Sequence, residues 1–264
     1  MVITSKDNEI IKHIKKLKEK KYREEYNEFI VEGIKMIQEA IEEKAKIKRV
    51  IICDDCKNQG IIPNELMYEI AKLECTYVSE KVFNTITDVI NPQGIMAVIE
   101  KPLNKEDKIN FDEKLFLILD NIQDPGNMGT ILRTVDSLNL KQIVVSSGSA
   151  DIYNLKVVRS TMGAIFRIKI IESSDLVKTI KEIKKHKIKI YATDLKTDKS
   201  IYNVDYNKSA IVIGNESNGV SEEVLKEATE RIKIPMTGKT ESLNAAVATS
   251  IILYEANKSL GNIK

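Results

Sequence analysis

Apolar and polar residues alternate along the chain in blocks that predict short strands separated by helices. In residues 1–100, the apolar runs typical of buried strands are "FIV" (29–31), "IKRVIIC", "TYVSE" and "GIMAVIE". Apolar residues recur at helical spacing in "NEFIVEGIKMIQEAIEE" and in "PNELMYEIAKLE", where a proline stands early in the predicted helix. "SEKVFNTITDV" is also predicted to be helical. The alternation predicts a small α/β unit.

The second part of the chain repeats this alternation after a break. "KPLNKEDKINFDE" combines proline, asparagine and mixed charge, and it predicts a linker at residues 101–110. The strand-like runs that follow are "KLFLILD", "QIVVSS", "RIKII", "KIKIYATD", "SAIVIGNE" and "RIKIPM". Runs so rich in Val, Ile and Leu are typical of parallel strands that are covered on both faces. The pattern therefore predicts two α/β domains, residues 1–100 and 111–264.

Composition narrows the class of protein only slightly. The 264 residues are 42% hydrophobic and 30% charged, which is typical of a soluble globular protein. A formal net charge of +2 neither requires nor excludes a polyanionic partner. No apolar run approaches the ~20 residues that span a bilayer, and the N-terminus lacks the apolar core of a signal peptide. We therefore expect a cytoplasmic protein without a membrane segment.

The cysteines do not predict a metal site. Cys53 and Cys56 have the spacing of half a zinc site, but only Cys75 remains, and His13 and His186 are far away in the sequence. Structural zinc normally takes four Cys or His ligands. Ordinary thiols at the end of a strand are the better interpretation.

The first candidate loop is "DPGNMGTILRT", residues 124–134, which follows the apolar run "LFLILD". Asn127 is a favourable helix N-cap, and the free N–H groups of the next turn can bind an anion. Helical geometry places Arg133 opposite the apolar stripe of this helix. The loop itself follows the carboxyl end of a strand, which is where open α/β sheets bind ligands. An arginine on a polar helix face is by itself most often only solvated. A dinucleotide fold is disfavoured, because the full G-x-G-x-x-G pattern is missing.

Two further loops also follow predicted strands. In "IVIGNESNGVS", Gly214 and Gly219 permit a close approach of the backbone, and the acidic residues after Ser221 favour a helix start. In "IKIPMTGKTESLNAAVATSIILYE", a strand ends at Pro235 and Ser242 stands at the start of a long helix. That helix is apolar nearly all round, so it is predicted to lie in the core or partly in a subunit interface.

The three loops lack the groups of the common hydrolytic sites. They contain no Cys/His pair and no paired carboxylates, and His186 lies in a lysine-rich helix, so histidine general-base chemistry is disfavoured. They offer backbone groups, small side chains, the carboxylate of Glu216 and the guanidinium of Arg133.

These loops together resemble the three motifs of the SpoU/TrmH family of RNA ribose 2'-O-methyltransferases, in the SPOUT class. The resemblance covers both domains, since "FIVEG" and "NPQGIMAVIE" are similar to the L30e-like substrate-binding domain that often precedes the catalytic domain. It implies an α/β catalytic domain with a parallel sheet and a trefoil knot, S-adenosylmethionine as cofactor, and a homodimer formed through the C-terminal domain.

The resemblance also implies roles for individual residues. The positions that match the polar residues of the family's catalytic site are Asn127, Arg133, Glu216, Ser242 and Asn244. The positions that match its cofactor contacts are Gly214, Ile234 and Leu243, with Thr193 near the same pocket. In this family the role of general base is often assigned to this arginine, but a guanidinium stays protonated. We favour Arg133 as a clamp on a phosphate and on the developing oxyanion, with the RNA phosphate or water accepting the proton.

RNA contact is expected outside these loops as well. The run "IKHIKKLKEKKYR" carries dense positive charge offset only by Glu19, and its expected phosphate contacts are Lys15, Lys16, Lys20, Lys21 and Arg23. The plain alternative is a solvated helix face. The expected function is ribosomal RNA 2'-O-methylation of the 23S type. Transfer RNA remains open as substrate, and so does a non-catalytic RNA-binding role; a nucleotide-dependent oxidoreductase has no supporting fingerprint.

Overall fold

The computed structural model describes residues 2–58, 60–102 and 109–263. The chain divides into two compact units. The first unit comprises Met1–Leu103 and Asp151–Phe166, and the second comprises Asn104–Ala150 and Arg167–Lys264. Most of the predicted linker, residues 103–108, lies outside the described residues. Within the described part of the chain, no helix combines the length and the apolar character that crossing a membrane requires.

The first unit contains a mixed five-stranded sheet. Its strands are β1 (Val2–Ile3), β2 (Glu28–Glu32), β3 (Ile47–Cys53), β4 (Cys75–Val78) and β5 (Ile95–Glu100), in the order β1-β4-β3-β5-β2. Strands β1, β4 and β3 run parallel, whereas β5 is antiparallel to both β3 and β2. Its helices before the linker are α1 (Glu9–Lys16), α2 (Lys20–Tyr26), α3 (Ile34–Glu42), α4 (Asp54–Asn58), α5 (Asn64–Ile70) and α6 (Glu80–Phe83).

Helix α6 is shorter than predicted. It ends at Phe83, although the sequence pattern extends the helix to residue 89. Thr85 donates a hydrogen bond from its hydroxyl to the Val82 carbonyl, and the Thr87 hydroxyl turns to Glu32. Threonine side chains that bond locally compete with continued helix formation.

Apolar residues of α1 anchor the N-terminal helices to the sheet. Ile11 and Ile14 of α1, together with Leu17 at its C-cap, are at most 1% exposed and belong to one core cluster with residues of β2 to β5. Asn8 begins α1 because its side-chain oxygen accepts the Ile10 N–H at 2.9 Å. The charged residues of α1 are thereby left on its outer side.

A segment from the middle of the chain completes the first unit. Residues 151–166 contain α8 (Leu155–Ser160) and a 3₁₀ turn, and they pack on the first unit although both flanking strands belong to the second. The Tyr153 ring lies 4.8 Å from the Phe29 ring, and Gly163 approaches the Glu39 side chain so closely that a Cβ would clash. A single division of the sequence near residue 105 therefore does not describe the two units, because residues 151–166 belong to the first.

The second unit contains a parallel six-stranded sheet, as predicted. Its strands are β6 (Leu115–Asp120), β7 (Gln142–Ser146), β8 (Lys169–Ser173), β9 (Lys189–Thr193), β10 (Ser209–Gly214) and β11 (Glu230–Ile232), in the order β11-β9-β10-β6-β7-β8. Its helices are α7 (Pro125–Ser137), α9 (Leu176–Lys185), α10 (Glu222–Glu227) and α11 (Ala245–Ser259). Strand β11 ends at Ile232, before the predicted limit, because Lys233 turns to a separate bridge with Ser200.

Register brings the candidate loops to one edge of this sheet. Gly214, the last residue of β10, is paired with Asp120, the last residue of β6. Ile232 at the end of β11 is paired with Thr193 at the end of β9. Because all strands are parallel, the loops after β6, β10 and β11 leave the same carboxyl edge, where such sheets bind ligands.

Candidate functional site

A carboxylate of one loop holds the start of another. We call the segments after β6, β10 and β11 the first loop (121–128), the second loop (215–221) and the third loop (233–244). In the second loop, Glu216 accepts hydrogen bonds from the backbone N–H groups of Gln123 and Asp124, both at 3.2 Å, and from Asn127 Nδ2 at 2.9 Å. Otherwise exposed donors near the start of α7 are therefore satisfied by Glu216.

Asn127 is not the N-cap of α7, which corrects the expectation from the sequence. The cap is Asp124, whose Oδ1 accepts the Asn127 N–H at 2.8 Å, and Pro125 occupies the first helical position. Proline favours that position because it lacks the N–H that would be unsatisfied there. The Asn127 side chain is thereby left free to bond to the other loops.

Asn244 extends the connection to the third loop. Its Nδ2 donates to Asn127 Oδ1 at 2.8 Å, and its Oδ1 caps α11 by accepting the Ala246 and Val247 N–H groups. Asn244 is thus the N-cap of α11, and Ser242 lies two residues before it rather than at the helix start. Glu216, Asn127 and Asn244 form a continuous hydrogen-bonded relay across the three loops.

Two residues outside the predicted set also hold the loops. Asp120, only 3% exposed, accepts the Ser221 N–H at 2.8 Å and the Ser221 hydroxyl at 2.7 Å. Asn215 donates from Nδ2 to the Asn121 carbonyl at 2.8 Å. The signal for Asp120 was a carboxylate at the end of a wholly apolar strand, since a buried charge needs partners.

The turn after β10 brings two backbone segments together at Gly214. A Cβ on Gly214 would lie 2.1 Å from both the Gly219 carbonyl carbon and the Val220 nitrogen. No side chain fits there, so only glycine permits this return of the second loop toward its strand.

The second and third loops enclose a cavity of about 310 Å³. The four predicted cofactor positions, Gly214, Ile234, Leu243 and Thr193, all line it. So do Glu216 and Ser242 from the predicted catalytic set. Its volume is within the range of small-molecule sites, and its lining combines apolar side chains with exposed backbone.

Arg133 stands apart from the relay. It lies on the exposed side of α7 with Thr130 and Ser137, while Met128, Ile131, Leu132 and Val135 are fully buried on the other side. Among the described residues it has no hydrogen bond or ion pair, so its guanidinium is available to an external anion.

The contacts of Glu216 also affect its protonation. Burial alone would raise the pKa of this carboxyl, but the hydrogen bonds from Asn127 and from the backbone N–H groups outweigh that and lower it. A carboxylate with a lowered pKa and three N–H donors is a weak proton acceptor. Glu216 is therefore better suited to hold Asn127 than to deprotonate a hydroxyl.

The predicted phosphate contacts of the first unit divide into two groups. Arg23 is only 3% exposed, donates to the carbonyls of Leu17 and Lys18 at 2.8 and 2.7 Å, and forms an ion pair with Asp151. It stabilises the fold and is not part of an exposed basic surface. Lys16, Lys20 and Lys21 are exposed and Lys15 is partly exposed.

Comparisons with known proteins agree with this geometry. The sequence profile of the SpoU rRNA Methylase family matches residues 114–254, and that of an MRM3-like substrate binding domain matches residues 8–97. The chain is 34% identical over 253 residues to the 23S rRNA (guanosine(2553)-2'-O)-methyltransferase RlmP of Bacillus subtilis, covering 96% of this chain and 97% of that protein.

Solved structures give the same result. An AdoMet-bound rRNA methyltransferase from Sinorhizobium meliloti has a TM-score of 0.85 and 31% identity, with 98% of each chain covered. The SpoU methyltransferase AviRb from Streptomyces viridochromogenes has a TM-score of 0.84 and 25% identity, covering 97% of this chain and 99% of that one.

Proposed function

The chain belongs to the SpoU rRNA methylase family, and we propose that it transfers a methyl group from S-adenosylmethionine to a ribose 2'-hydroxyl of 23S-type ribosomal RNA. The observation that carries this proposal is the relay of Glu216, Asn127 and Asn244, which joins the three loops beside a small-molecule cavity. The RlmP similarity along nearly the whole chain supports the ribosomal substrate.

The cavity fits the proposed cofactor in its chemistry. Ile234 and Leu243 would offer apolar surface to an adenine ring. At Gly214 no side chain would stand between the backbone and the cofactor. Thr193 directs its hydroxyl to the Val212 carbonyl at 3.1 Å, so it contributes shape rather than a free donor. S-adenosylmethionine, when bound, supplies a methyl group activated by a positively charged sulfur.

The remaining requirement is a nucleophilic ribose oxygen. Arg133 is proposed to hold a neighbouring phosphate through two parallel N–H bonds and to stabilise negative charge as it develops on the 2'-oxygen. The proton passes to the RNA phosphate or to water, because the guanidinium stays protonated and Glu216 is engaged by three donors. Asn127 and Asn244 keep the loops in place during transfer.

A second copy of the chain is proposed to cover α11. Val247 and Tyr254 on this helix are 47% and 53% exposed, and Ile251 lies between them on the same side. An apolar helix side of this kind favours a symmetric dimer contact. Light scattering of the purified protein tests this: Val247→Glu is expected to give monomers, and a monomeric wild type would contradict the proposal. The trefoil knot, which the resemblance implies, and a cytoplasmic location, which is expected from the sequence pattern, remain part of the proposal.

Methyl transfer can be measured directly. The protein is incubated with S-adenosylmethionine carrying a labelled methyl group and with ribosomal or transfer RNA from cells lacking the gene. Digestion and mass spectrometry then identify 2'-O-methylnucleosides. We expect labelling of the large ribosomal RNA.

The alternative outcomes are distinct. Labelling of transfer RNA alone would mean that the substrate is transfer RNA and not ribosomal RNA. A protein that binds RNA but shows no heat on titration with S-adenosylmethionine would be the non-catalytic alternative.

A further inference from the structure

An aromatic and basic surface on α1 and α2 has no part in the site described above. We define the tyrosine–lysine surface as His13, Lys16, Lys21, Tyr22 and Tyr26. Lys16 and Lys21 each place Nζ 5.5 Å from the centre of the Tyr22 ring. Tyr22 and Tyr26 are nearly parallel, at 11° and 6.1 Å between ring centres, and Tyr26 contacts His13 at 4.8 Å.

The corner between α1 and α2 is held rigidly underneath this surface. Arg23 bonds the carbonyls of Leu17 and Lys18 at that corner, and its ion pair with Asp151 is nearly inaccessible to solvent. Ile14 and Leu17 are buried, as is Arg23. The rings therefore project from a fixed support, and ordering them on binding costs little conformational entropy.

The two lysines beside Tyr22 differ from Lys12, Lys18 and Lys20, and resemble Lys15, in forming no ion pair within the described residues. Lys12 pairs with Glu9 at 2.8 Å, Lys18 with Asp88 at 2.7 Å, and Lys20 with Glu24 at 3.7 Å. Lys16 and Lys21 have no ion pair within the described residues. Their ammonium groups lie over a ring, which is a weak contact at an exposed site that an incoming phosphate can replace.

Rings flanked by free cations match a particular form of RNA. Duplex RNA hides the faces of its bases, whereas an unpaired nucleotide presents a face to stack and a phosphate on either side. An acidic protein segment would use the lysines but would leave the parallel rings without a role. The observations therefore favour RNA over an acidic protein.

We propose that an unpaired nucleotide of the RNA substrate stacks on Tyr22 while Lys16 and Lys21 contact the adjacent phosphates. This inference rests on the proposed function, because it names how the first unit recognises the RNA that the second unit methylates. Tyr26 supports the Tyr22 ring from the side, His13 contacts Tyr26, and the Glu28 carboxylate fixes His13 through a bond of 2.6 Å to Nε2.

The chain contains no tryptophan, which allows a direct optical test. In Tyr22→Trp, the single indole is expected to be quenched when a single-stranded oligoribonucleotide of mixed sequence is added, and much less by a blunt RNA duplex. Tyr68→Trp is the matched control, since Tyr68 also lies in the first unit under a lysine, with Lys72 Nζ 4.4 Å from its ring centre. Equal quenching of both reporters, or none at position 22, would overturn the proposal.

Substitutions test the same surface in the reaction. Tyr22→Ala is expected to raise the KM for RNA about tenfold with little change in kcat, because stacking contributes to binding rather than to chemistry. Tyr22→Phe keeps the ring and is expected to retain nearly the wild-type KM, and Tyr68→Ala is expected to leave KM unchanged. A loss shared by Tyr22→Ala and Tyr22→Phe, or an unchanged KM in Tyr22→Ala, contradicts stacking.

Failure of this proposal and of the proposed function are separable. If the wild-type protein methylates RNA and Tyr22→Ala is normal, only the stacking assignment is wrong. If the wild-type protein methylates no RNA but position 22 is still quenched by the oligoribonucleotide, the recognition surface remains and the catalytic proposal is wrong. An acidic peptide that competes as well as the oligoribonucleotide at equal charge would point to a protein partner instead.

Discussion

Polar side chains have many hydrogen-bond partners in the loops of the second unit and few on the first two helices of the first unit. In the loops, Glu216, Asn127 and Asn244 are bonded to one another and to the backbone. On the helices, Lys16 and Lys21 rest only on an aromatic ring. Groups that position a small cofactor and a reacting atom benefit from preorganisation, whereas contacts with a flexible polyanion tolerate mobile cations.

The arginines of the two regions show the opposite pattern: Arg23 is paired, whereas Arg133 is not paired within the described residues. Arg23 stands in the lysine-rich region but is the buried residue on which that region rests. Arg133 lies on α7, the helix that carries Asn127 of the preorganised relay, but is itself exposed and unpaired among the described residues. Residue type and local charge therefore do not separate a structural arginine from one that meets a ligand; burial and partners do.

Removing Arg23 is expected to give the largest effect, and on stability. Arg23→Ala leaves Asp151, whose side chain is only 16% exposed, without its partner, so the free energy of unfolding should fall by about 3–5 kcal/mol. Urea unfolding followed by circular dichroism measures this. Lys20→Ala is the control, because Lys20 is 57% exposed and its change should be below about 0.5 kcal/mol. An unchanged unfolding midpoint in Arg23→Ala, together with weaker RNA binding, would mean that Arg23 contacts RNA phosphate and does not stabilise the fold.

Removing Arg133 is expected to affect turnover instead. Arg133→Ala should lower kcat about 10²–10³-fold while the affinity for S-adenosylmethionine and the melting temperature stay near the wild type. Single-turnover methyl transfer and calorimetry separate the two. Arg133→Lys keeps the charge but loses the planar fork, so nearly full turnover in that variant would exclude bidentate recognition as the explanation.

Gly214→Ala tests whether the close backbone approach is required. A Cβ would lie 2.1 Å from backbone atoms, so the second loop must shift, at a cost near the upper end of about 1–3 kcal/mol. Affinity for S-adenosylmethionine, measured by titration calorimetry, should fall more than about tenfold. Gly238→Ala is the matched control in the third loop, because no atom lies within 4 Å of its added Cβ. Equal affinities of the two variants would mean that the loop adapts.

Glu216→Gln is expected to give the smallest of these effects. An amide cannot accept all three hydrogen bonds, so kcat should fall about tenfold through displacement of Asn127. Since the pKa of Glu216 is lowered in the folded protein, its contribution to stability is present above the ordinary glutamate pKa of about 4.3 and is lost as pH falls through the lowered value.

The pH dependence supplies a second measurement for that variant. The difference in unfolding free energy between wild type and Glu216→Gln should be largest above about pH 4.3 and shrink at lower pH. Turnover of the wild type can be measured against pH in the same way. If it fell at low pH through protonation of a group of raised pKa, and Glu216→Gln did not show this fall, Glu216 would be the base and not a positioning residue.

The local features of the molecule could be predicted from the sequence alone. The alternation of apolar runs and helical spacing predicted the parallel sheet of the second unit, and the polar residues after β6, β10 and β11 marked the loops. These follow from side-chain periodicity and turn chemistry within a few residues. The family resemblance, which rests on these same loops, named the cofactor and the reaction.

Which polar groups meet depends on how distant parts of the chain pack together. Asn127 bonds to Glu216 and Asn244, which lie 89 and 117 residues away, and Arg23 is buried by Asp151, 128 residues away. The basic run around Arg23 gave no sign that one of its cations points inward. Such pairings depend on strand register and on the packing of distant segments, and no local pattern of charge or hydrophobicity records either.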